Sequence, residues 1–271
     1  MRRTEKRSME DELIIQQVMR IRKNLPKIGG RKLHYLLKDF MQEHNIAMGR
    51  DQLFDLLLGH KLLIKKRRRR ISTTNSNHRF RRYPNLIKEL EIIRPEQLWV
   101  SDITYLKTKQ GFCYLSLITD AYSKKIIGYN LENNLATEGC MKALQMALST
   151  RIATKSSLIH HSDRGIQYCS NQYITLLKGN AIAISMTENG DPYENAIAER
   201  VNGILKDEFN LYQTFINIHQ ANSIVQESIF YYNNQRPHAT CNYLTPDQAH
   251  NSEGILNKKW KSYYRKNTVN D

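Results

Sequence analysis

The sequence has no long apolar run and no closely spaced cysteines. No stretch reaches the roughly 18 consecutive apolar residues of a membrane-spanning helix, so we expect no contact with a membrane. The opening residues, MRRTEKRSMEDEL, contain no apolar core of the kind found in a secretory signal peptide. The four cysteines lie far apart without a CxxC pair, which argues against a disulfide scaffold and favours a reducing, cytoplasmic setting.

Positive charge is abundant and unevenly distributed. The 271 residues carry a net charge of +15, and 40% of them are hydrophobic, enough for one large domain or two smaller ones. Residues 1–97 hold 24 of the 41 Lys/Arg and 11 of the 26 Asp/Glu, a net +13, which leaves +2 for the remainder. A strongly basic front third indicates a nucleic-acid partner, whereas the alternative is a solvated basic surface.

The first 64 residues have the periodicity of three short helices. Apolar residues recur at helical spacing over residues 9–23, 31–42 and 50–58, and Pro26 and Gly29-Gly30 interrupt the pattern. Short helices joined by tight turns are typical of a helix-turn-helix DNA-binding unit. The alternative is a helical arm that only packs on the rest of the chain or on a partner subunit.

A basic segment, Lys65–Arg82, follows these helices. It holds nine Lys/Arg and no acid, and its middle is polar, so we interpret residues 65–97 as a linker that begins with a basic run. Each DNA phosphate that this run neutralises would make binding more sensitive to salt. The residues expected to contact DNA here are Lys65, Lys66, Arg67, Arg68, Arg69 and Arg70.

From residue 98 the pattern becomes that of an α/β domain. Three strand-like runs joined by short links predict an antiparallel meander, and the helix–strand–helix–strand–helix order after them predicts a mixed sheet flanked by helices. A last helix is expected to end before Pro237. The predicted strands are 98–105, 112–119, 125–131, 157–162 and 181–186, and the predicted helices of this part are 137–150, 172–178, 195–209 and 215–233.

Three acidic residues stand out within this pattern. The helix predicted over residues 195–209 presents a polar stripe that contains Glu199, with Asn195, Asn202 and Lys206 at helical spacing. Asp102 lies in the first strand, and Asp163 comes directly after the fourth. Carboxylates on three different elements could converge on divalent cations, which prefer hard oxygen ligands.

Each of these residues also has a structural interpretation. Asp102 could satisfy backbone donors at a strand end, Asp163 could stabilise a turn, and Glu199 could form a surface salt bridge with Arg200 or Lys206. Asp120 is interpreted as structural, and His160 and His161, which face opposite ways on one strand, are not expected to bind metal. The rivals of Glu199 for the third acidic position are Glu188, Asp191, Glu194 and Glu208.

The spacing of the acids and the short sequence motifs around them resemble those of a known family. Asp163 and Glu199 are separated by 35 residues, and Lys206 follows seven residues later. The segments WVSDITY, HSDRGIQY and NAIAER, with RPH, LTP and the leader GGRKL, make the chain similar to the retroviral-integrase-like DDE transposases. Within that superfamily it looks like the second-frame (OrfB) product of bacterial insertion sequences.

The resemblance implies an RNase H-like fold, with a mixed five-stranded sheet flanked by helices and preceded by a small helix-turn-helix-like domain. It implies that Asp102, Asp163 and Glu199 are catalytic and bind two Mg²⁺ or Mn²⁺ ions, and that Lys206 and Arg200 contact DNA. The implied reaction is cleavage that frees a DNA 3′-OH, followed by transfer of that hydroxyl to target DNA during transposition. The implied units are residues 1–64, the linker 65–97, the catalytic core 98–250 and a tail 251–271.

The same resemblance implies several partners. These are element-end and target DNA, further copies of the chain in a synaptic complex, and a helix-turn-helix protein from an upstream reading frame, all in the bacterial cytoplasm near the nucleoid. Residues 1–112 contain no cysteine, so the zinc-binding domain that opens retroviral integrases is not expected. The alternative functions are a non-catalytic DNA-binding remnant and an RNase H-like nuclease.

Overall fold

The computed structural model describes residues 3–64, 81–151, 156–188 and 195–257. Four helices form the N-terminal part: α1 (Arg3–Asn24), α2 (Gly30–Leu36), α3 (Lys38–Glu43) and α4 (Arg50–Gly59). The single helix predicted over residues 31–42 is divided at Leu37, although the Leu37 amide still donates to the Leu33 carbonyl over 3.0 Å. The division is therefore a local irregularity, which periodicity alone does not reveal.

A six-stranded mixed sheet forms the centre of the remaining chain. Its strands are β1 (Leu98–Thr108), β2 (Gly111–Asp120), β3 (Ile126–Glu132), β4 (Leu158–Ser162), β5 (Ile182–Met186) and the short β6 (Thr214–Phe215). The order is β3-β2-β1-β4-β5, with β1, β2 and β3 antiparallel and β4 and β5 parallel to β1. The predicted mixed sheet is confirmed, and β6, which pairs with the far end of β1, is an additional strand.

Helices cover both faces of the sheet. They are α5 (Thr137–Ser149), α6 (Ile166–Cys169), α7 (Asn171–Gly179), α8 (Ala196–Glu208), α9 (Ile218–Asn234) and α10 (Pro246–His250). The helix predicted from residue 215 begins only at Ile218, because β6 precedes it. Helices α6 and α10 were not predicted, since four or five residues are too few to show a helical period.

The two largest of three hydrophobic clusters among the described residues lie on opposite faces of the sheet. On one face, Trp99 and Ile118 of the sheet pack with α5, α6 and α7. On the other face, Leu106 and Leu117 belong to a cluster that includes α8 and α9 and also buried residues of α1 to α4. The N-terminal helices therefore share a core with the α8–α9 layer, as the helical-arm interpretation expected, and a separate unit of residues 1–64 stays a prediction.

The α5 layer approaches the sheet closely at Gly128 of β3. A Cβ atom at this position would lie 2.1 Å from the Ala143 carbonyl oxygen of α5, so only glycine allows this approach. All four cysteines are buried and free, consistent with the absence of a disulfide framework. Within the part of the chain that the structure describes, no helix has the length and apolarity needed to cross a bilayer.

Candidate catalytic site

The candidate site forms where β1 extends beyond its neighbour β4. The register between these strands runs from Leu98 to Val100, so Asp102 lies just past the paired segment. Helix α8 is attached to this part of β1 at two points. Asn195 Nδ2 donates to the Ser101 carbonyl oxygen over 3.0 Å, and Asn202 Nδ2 donates to Asp102 Oδ2 over 2.7 Å. The polar stripe of α8 thus faces Asp102.

The three predicted acids influence one another electrostatically. Burial, the charge of Asp163 and, to a smaller extent, that of Glu199 raise the pKa of Asp102 to about 7, against the hydrogen bonds from Asn202 and the Ile103 amide. Each negative carboxylate disfavours ionisation of a neighbouring one, because like charges repel. Asp163, at the end of β4, and Glu199, on α8, are therefore near enough to Asp102 on β1 for their charges to act on it.

Asp163 is held by the turn that follows β4. Its Oδ1 accepts a hydrogen bond from the Gly165 amide over 2.9 Å, and a Cβ at Gly165 would come within 3.0 Å of the same oxygen. The turn interpretation of Asp163 is thus correct as a description of its backbone contact. One oxygen serves that turn while the charge of the carboxylate still acts on Asp102, so the two interpretations are compatible.

The three carboxylates have the chemistry that binds divalent cations, although one of them, Glu199, is exposed to solvent. Three carboxylates supply hard oxygen ligands, and their mutual repulsion, visible in the raised pKa of Asp102, is what a bound cation would relieve. Within the described ranges, no three His, Cys, Asp or Glu side chains are close enough together to form a ready-made metal site. Glu199 is exposed in the first turn of α8, and residues 189–194 before it lie outside the described structure.

The predicted DNA contacts separate into three groups. Lys206 lies near the acids: its ammonium is 4.6 Å from the ring centre of Tyr105, and the charge of Asp102 opposes the lowering of the pKa of Lys206 by burial. Arg200 is exposed on α8, and its charge makes a small contribution to lowering the pKa of Lys32. The run from Lys65 to Arg70 lies outside the described residues.

Two rivals of Glu199 have other partners. Glu188 pairs with Lys88, and Glu208 forms a buried ion pair with Arg236, whose guanidinium donates to both carboxylate oxygens over 2.7 and 2.8 Å. The other two rivals, Asp191 and Glu194, lie outside the described ranges.

Asp120 and the two histidines have structural contacts. Asp120 is fully buried and accepts hydrogen bonds from the Glu96 amide and from Ser123. His160 Nε2 lies 2.7 Å from Ser101 Oγ, and burial, then the neighbouring His161, lower the pKa of His160 to about 3. His161 Nδ1 lies 2.8 Å from Ser185 Oγ.

Sequence reasoning placed Asn202 on the polar stripe of α8 without giving it a role. Its contact with Asp102 was not predicted, because a helical stripe shows which residues share a face but not which side chain they meet. Tyr105, three residues beyond Asp102, was also given no role. A tyrosine near the end of a predicted strand is visible in the sequence, but its exposure is seen only in the structure.

Comparisons with known proteins indicate the family to which the chain belongs. Two integrase core domain family models match residues 93–192 and 180–246. The chain is 37% identical over 212 residues to the insertion element IS600 uncharacterized 31 kDa protein of Shigella sonnei, which covers 78% of each chain. It is 28% identical over 243 residues to the transposase for insertion sequence element IS629, also of Shigella sonnei, covering 90% of this chain and 80% of that protein.

Among solved structures, the fold is similar to a chain in the simian T-cell lymphotropic virus intasome in complex with the PP2A regulatory subunit B56 gamma. The TM-score is 0.52 at 17% sequence identity, and the match covers 87% of this chain and 79% of that chain. At this identity the likeness concerns the fold alone.

Proposed function

Because the chain belongs to the insertion-sequence transposases of the retroviral integrase-like superfamily, we propose that it cleaves and joins DNA strands at the ends of a mobile element through Asp102, Asp163 and Glu199. Membership supports DNA transposition and phosphodiester chemistry in general. The assignment of these three residues is our proposal. The non-catalytic DNA-binding remnant and the RNase H-like nuclease remain as outcomes of the test below.

One observation supports this assignment above the others. Burial, and after it the charges of Asp163 and Glu199, raise the pKa of Asp102, although the three residues are carried by separate elements far apart in the sequence. A concentration of negative charge on a partly buried strand end is unfavourable for folding unless a cation or proton compensates it. Such a cost is typical of functional sites, where ionisable groups are arranged for chemistry.

The proposed cofactor is Mg²⁺ or Mn²⁺, with two ions held by the three carboxylates. When bound, such ions make an attacking oxygen more acidic and neutralise charge on the leaving oxygen. In the proposed sequence, water attacks a phosphodiester at the element end, and the bond to the 3′ oxygen breaks to free a 3′-OH. That hydroxyl then attacks a target phosphodiester in line, so one bond to phosphorus forms as another breaks.

The protein's own residues have separate tasks in this proposal. Asn202 donates a hydrogen bond to one carboxylate oxygen of Asp102, and the Ile103 amide donates to the other over 2.9 Å. Together they fix the orientation of the carboxylate. Lys206 supplies positive charge beside the acids, where a DNA phosphate would approach. The run from Lys65 to Arg70 would bind phosphates without sequence preference, and Arg200, which is exposed on α8, would provide a further contact to DNA.

Joining two element ends to a target requires that both ends be held at once. We therefore propose that the chain works as a dimer or larger assembly on DNA. The N-terminal helices are proposed to assist DNA binding, and the upstream-frame helix-turn-helix protein stays a prediction from the family resemblance.

The test is metal-dependent cleavage and strand transfer by purified protein on duplex DNA that carries the element ends. We expect Asp102→Asn, Asp163→Asn and Glu199→Gln each to abolish both steps while the melting temperature is maintained. Asp207→Asn is the matched control, because Asp207 is an exposed acid on the same helix as Glu199. If any one of the three substitutions leaves strand transfer near the wild-type rate, that residue is wrongly assigned.

Two further outcomes distinguish the alternatives. Salt-sensitive DNA binding with no turnover in Mg²⁺ or Mn²⁺ would identify a non-catalytic remnant. Cleavage of RNA–DNA hybrids, without joining of 3′-OH ends to a second duplex, would identify an RNase H-like nuclease.

A further inference from the structure

Three aromatic side chains are exposed next to the acidic site. Tyr105 on β1, Phe112 at the start of β2 and Tyr212 after α8 are 56%, 52% and 41% exposed. We call these three residues the aromatic platform. Exposure of large apolar rings is unfavourable in water, and exposed aromatics that form a group indicate a binding surface more often than isolated ones do. The platform contributes nothing to the proposed metal site and needs its own explanation.

Tyr105 is the centre of the platform, in contact with Phe112 and, like Tyr212, with the Lys206 ammonium. Tyr105 and Phe112 pack edge to face, with ring centres 5.4 Å apart and planes at 81°. The Lys206 ammonium lies 4.6 Å from the centre of the Tyr105 ring and 5.5 Å from that of Tyr212. These contacts order the rings, and they place a positive charge at the border between the platform and Asp102.

The surroundings of the platform are basic. The β1–β2 hairpin from residue 105 to residue 112, YLKTKQGF, contains no acid, and its two lysines, Lys107 and Lys109, are both exposed. Together with Lys206 they give the platform a border of positive charge. Apolar rings bordered by lysines match the chemistry of a polynucleotide, whose bases offer flat apolar faces and whose phosphates are anionic. A protein partner with an apolar patch would gain nothing from these charges.

The position of the platform decides which form of DNA suits it. Tyr105 lies three residues beyond Asp102, roughly 10 Å along an extended strand, and strand alternation turns its side chain to the opposite face of the sheet from that of Asp102. Lys206 of α8, whose ammonium lies 4.6 Å from the centre of the Tyr105 ring, reaches across to this side. The separation along the strand corresponds to about three nucleotides of duplex rise. Within a duplex the faces of internal bases are covered by their neighbours, so only a base that has left the stack can cover an aromatic ring.

We propose that the aromatic platform binds an unpaired nucleobase of the DNA strand whose phosphate lies at the acidic site. This inference rests on the proposed function, because it assumes that DNA reaches Asp102. The base stacks on Tyr105 or Phe112, while Lys206 and the hairpin lysines attract the adjoining phosphates. DNA with a single-stranded end therefore binds better than DNA that is fully paired.

The test compares two probes of arbitrary sequence, a blunt duplex and the same duplex with a short 3′ overhang that contains one 2-aminopurine. Binding and 2-aminopurine fluorescence are measured with EDTA present, so that no cleavage is required. We expect tighter binding of the overhang probe, with fluorescence quenched by stacking. Tyr105→Ala should weaken binding of the overhang probe roughly 5- to 150-fold and relieve the quenching, with little effect on the blunt probe.

Two variants control for other effects. Tyr105→Phe keeps a ring at this position and should retain both the preference and the quenching. Phe230→Ala removes an aromatic ring of similar exposure, 57%, that packs edge to face on Tyr231 of α9, and it should leave both properties unchanged. Because Tyr105 is largely exposed, the variants are expected to fold, and thermal melting checks this.

The outcomes separate this inference from the proposed function. Equal binding of the two probes by wild-type protein, or loss of the preference in Phe230→Ala but not in Tyr105→Ala, would overturn the stacking site even if the protein cleaves DNA. Asp102→Asn should lose cleavage and retain the overhang preference. Wild-type protein that prefers the overhang but never cleaves with Mg²⁺ or Mn²⁺ would refute the catalytic proposal and leave the stacking site standing.

Discussion

Glu208, the last residue of α8, joins the N-terminal helices to the rest of the protein. Its two carboxylate oxygens accept hydrogen bonds from Arg236, and Oε1 also accepts one from Lys32 Nζ over 3.2 Å. The Glu208 carbonyl accepts a further bond from the Lys27 amide over 3.0 Å. The Arg236 side chain is only 2% exposed, so this carboxylate compensates a buried positive charge. We predict that Glu208→Gln is one of the most destabilising single changes in the chain.

The size of the effect follows from the pKa shifts. Burial alone would raise the pKa of Glu208, but the charge and hydrogen bonds of Arg236, with those of Lys32, lower it from 4.5 to about 2. A depression of this size corresponds to about 3 kcal/mol of stability from the ionised form. Because the folded-state pKa is the lower one, this stability is present above pH 4.5 and is lost as the pH falls towards 2.

Lys32 behaves in the opposite way within the same cluster. Burial, and then the charge of Arg236, lower the pKa of Lys32 from 10.5 to about 8, against the attraction of Glu208. The charged form of Lys32 therefore opposes folding below pH 8, and that cost disappears as the pH rises from 8 to 10.5. Removing Lys32 should relieve this cost and still leave Glu208 paired with Arg236. We therefore expect Lys32→Met to maintain or raise the free energy of unfolding at pH 7.

Urea denaturation at pH 7 measures both variants. Glu208→Gln leaves Arg236 and Lys32 without their carboxylate and should lose about 3–5 kcal/mol, whereas Lys32→Met should be at least as stable as wild type. The difference between wild type and Glu208→Gln should shrink as the pH is lowered from 4.5, because wild-type Glu208 then becomes neutral too. Equal losses in the two variants, or a Glu208→Gln effect that does not depend on pH in this range, would refute the reasoning.

Two shorter predictions concern the site and the packing of the sheet. Asn202→Ala removes the hydrogen bond to Asp102, and single-turnover cleavage should slow by roughly tenfold or more without loss of DNA affinity in EDTA. Gly128→Ala would force a Cβ against the Ala143 carbonyl and should cost at least about 1–3 kcal/mol in denaturant unfolding. Its control, Gly203→Ala, has open space within α8 and should instead stabilise by roughly 0.5–1 kcal/mol; an equal effect of both glycine substitutions would contradict the packing argument.

Most of the sheet could be predicted from the sequence, because its longer strands contain enough apolar residues to form a recognisable strand pattern. The run containing Asp102 extends to Thr108 in the structure, three residues beyond the prediction, because its end pairs with the start of β2 and also with β6. Strand β6 has only two residues, too few to show an alternation of apolar and polar side chains. Its position depends entirely on the fold around it. The helix predicted to begin at residue 215 was wrong at its start for the same reason.

The candidate site could be predicted only in part. Helical spacing grouped Glu199 with Lys206, and the structure brings both near Asp102. Arg200 follows Glu199 directly and is turned about 100° around the helix from it, which directs it away from the acids. Likewise, the RPH segment at residues 236–238 was recognised only as a sequence motif shared with the family. Its contact with Glu208 depends on how α9 ends against α8, which no local pattern encodes.

Helix α8 connects these two sets of contacts mechanically. Asn202 holds β1 beside Asp102, and Glu208, six residues later and roughly 9 Å along a rigid helix, holds Arg236 and Lys32. A helix fixed at both points cannot shift at one without moving at the other. Loss of the Glu208 ion pair should therefore disturb Asp102 through α8, whereas loss of the Tyr105 ring should not. Comparing the cleavage defects of Glu208→Gln and Tyr105→Ala on the overhang substrate, at a temperature where both are folded, distinguishes a displaced acidic site from a lost base contact: saturating DNA should rescue cleavage only in Tyr105→Ala.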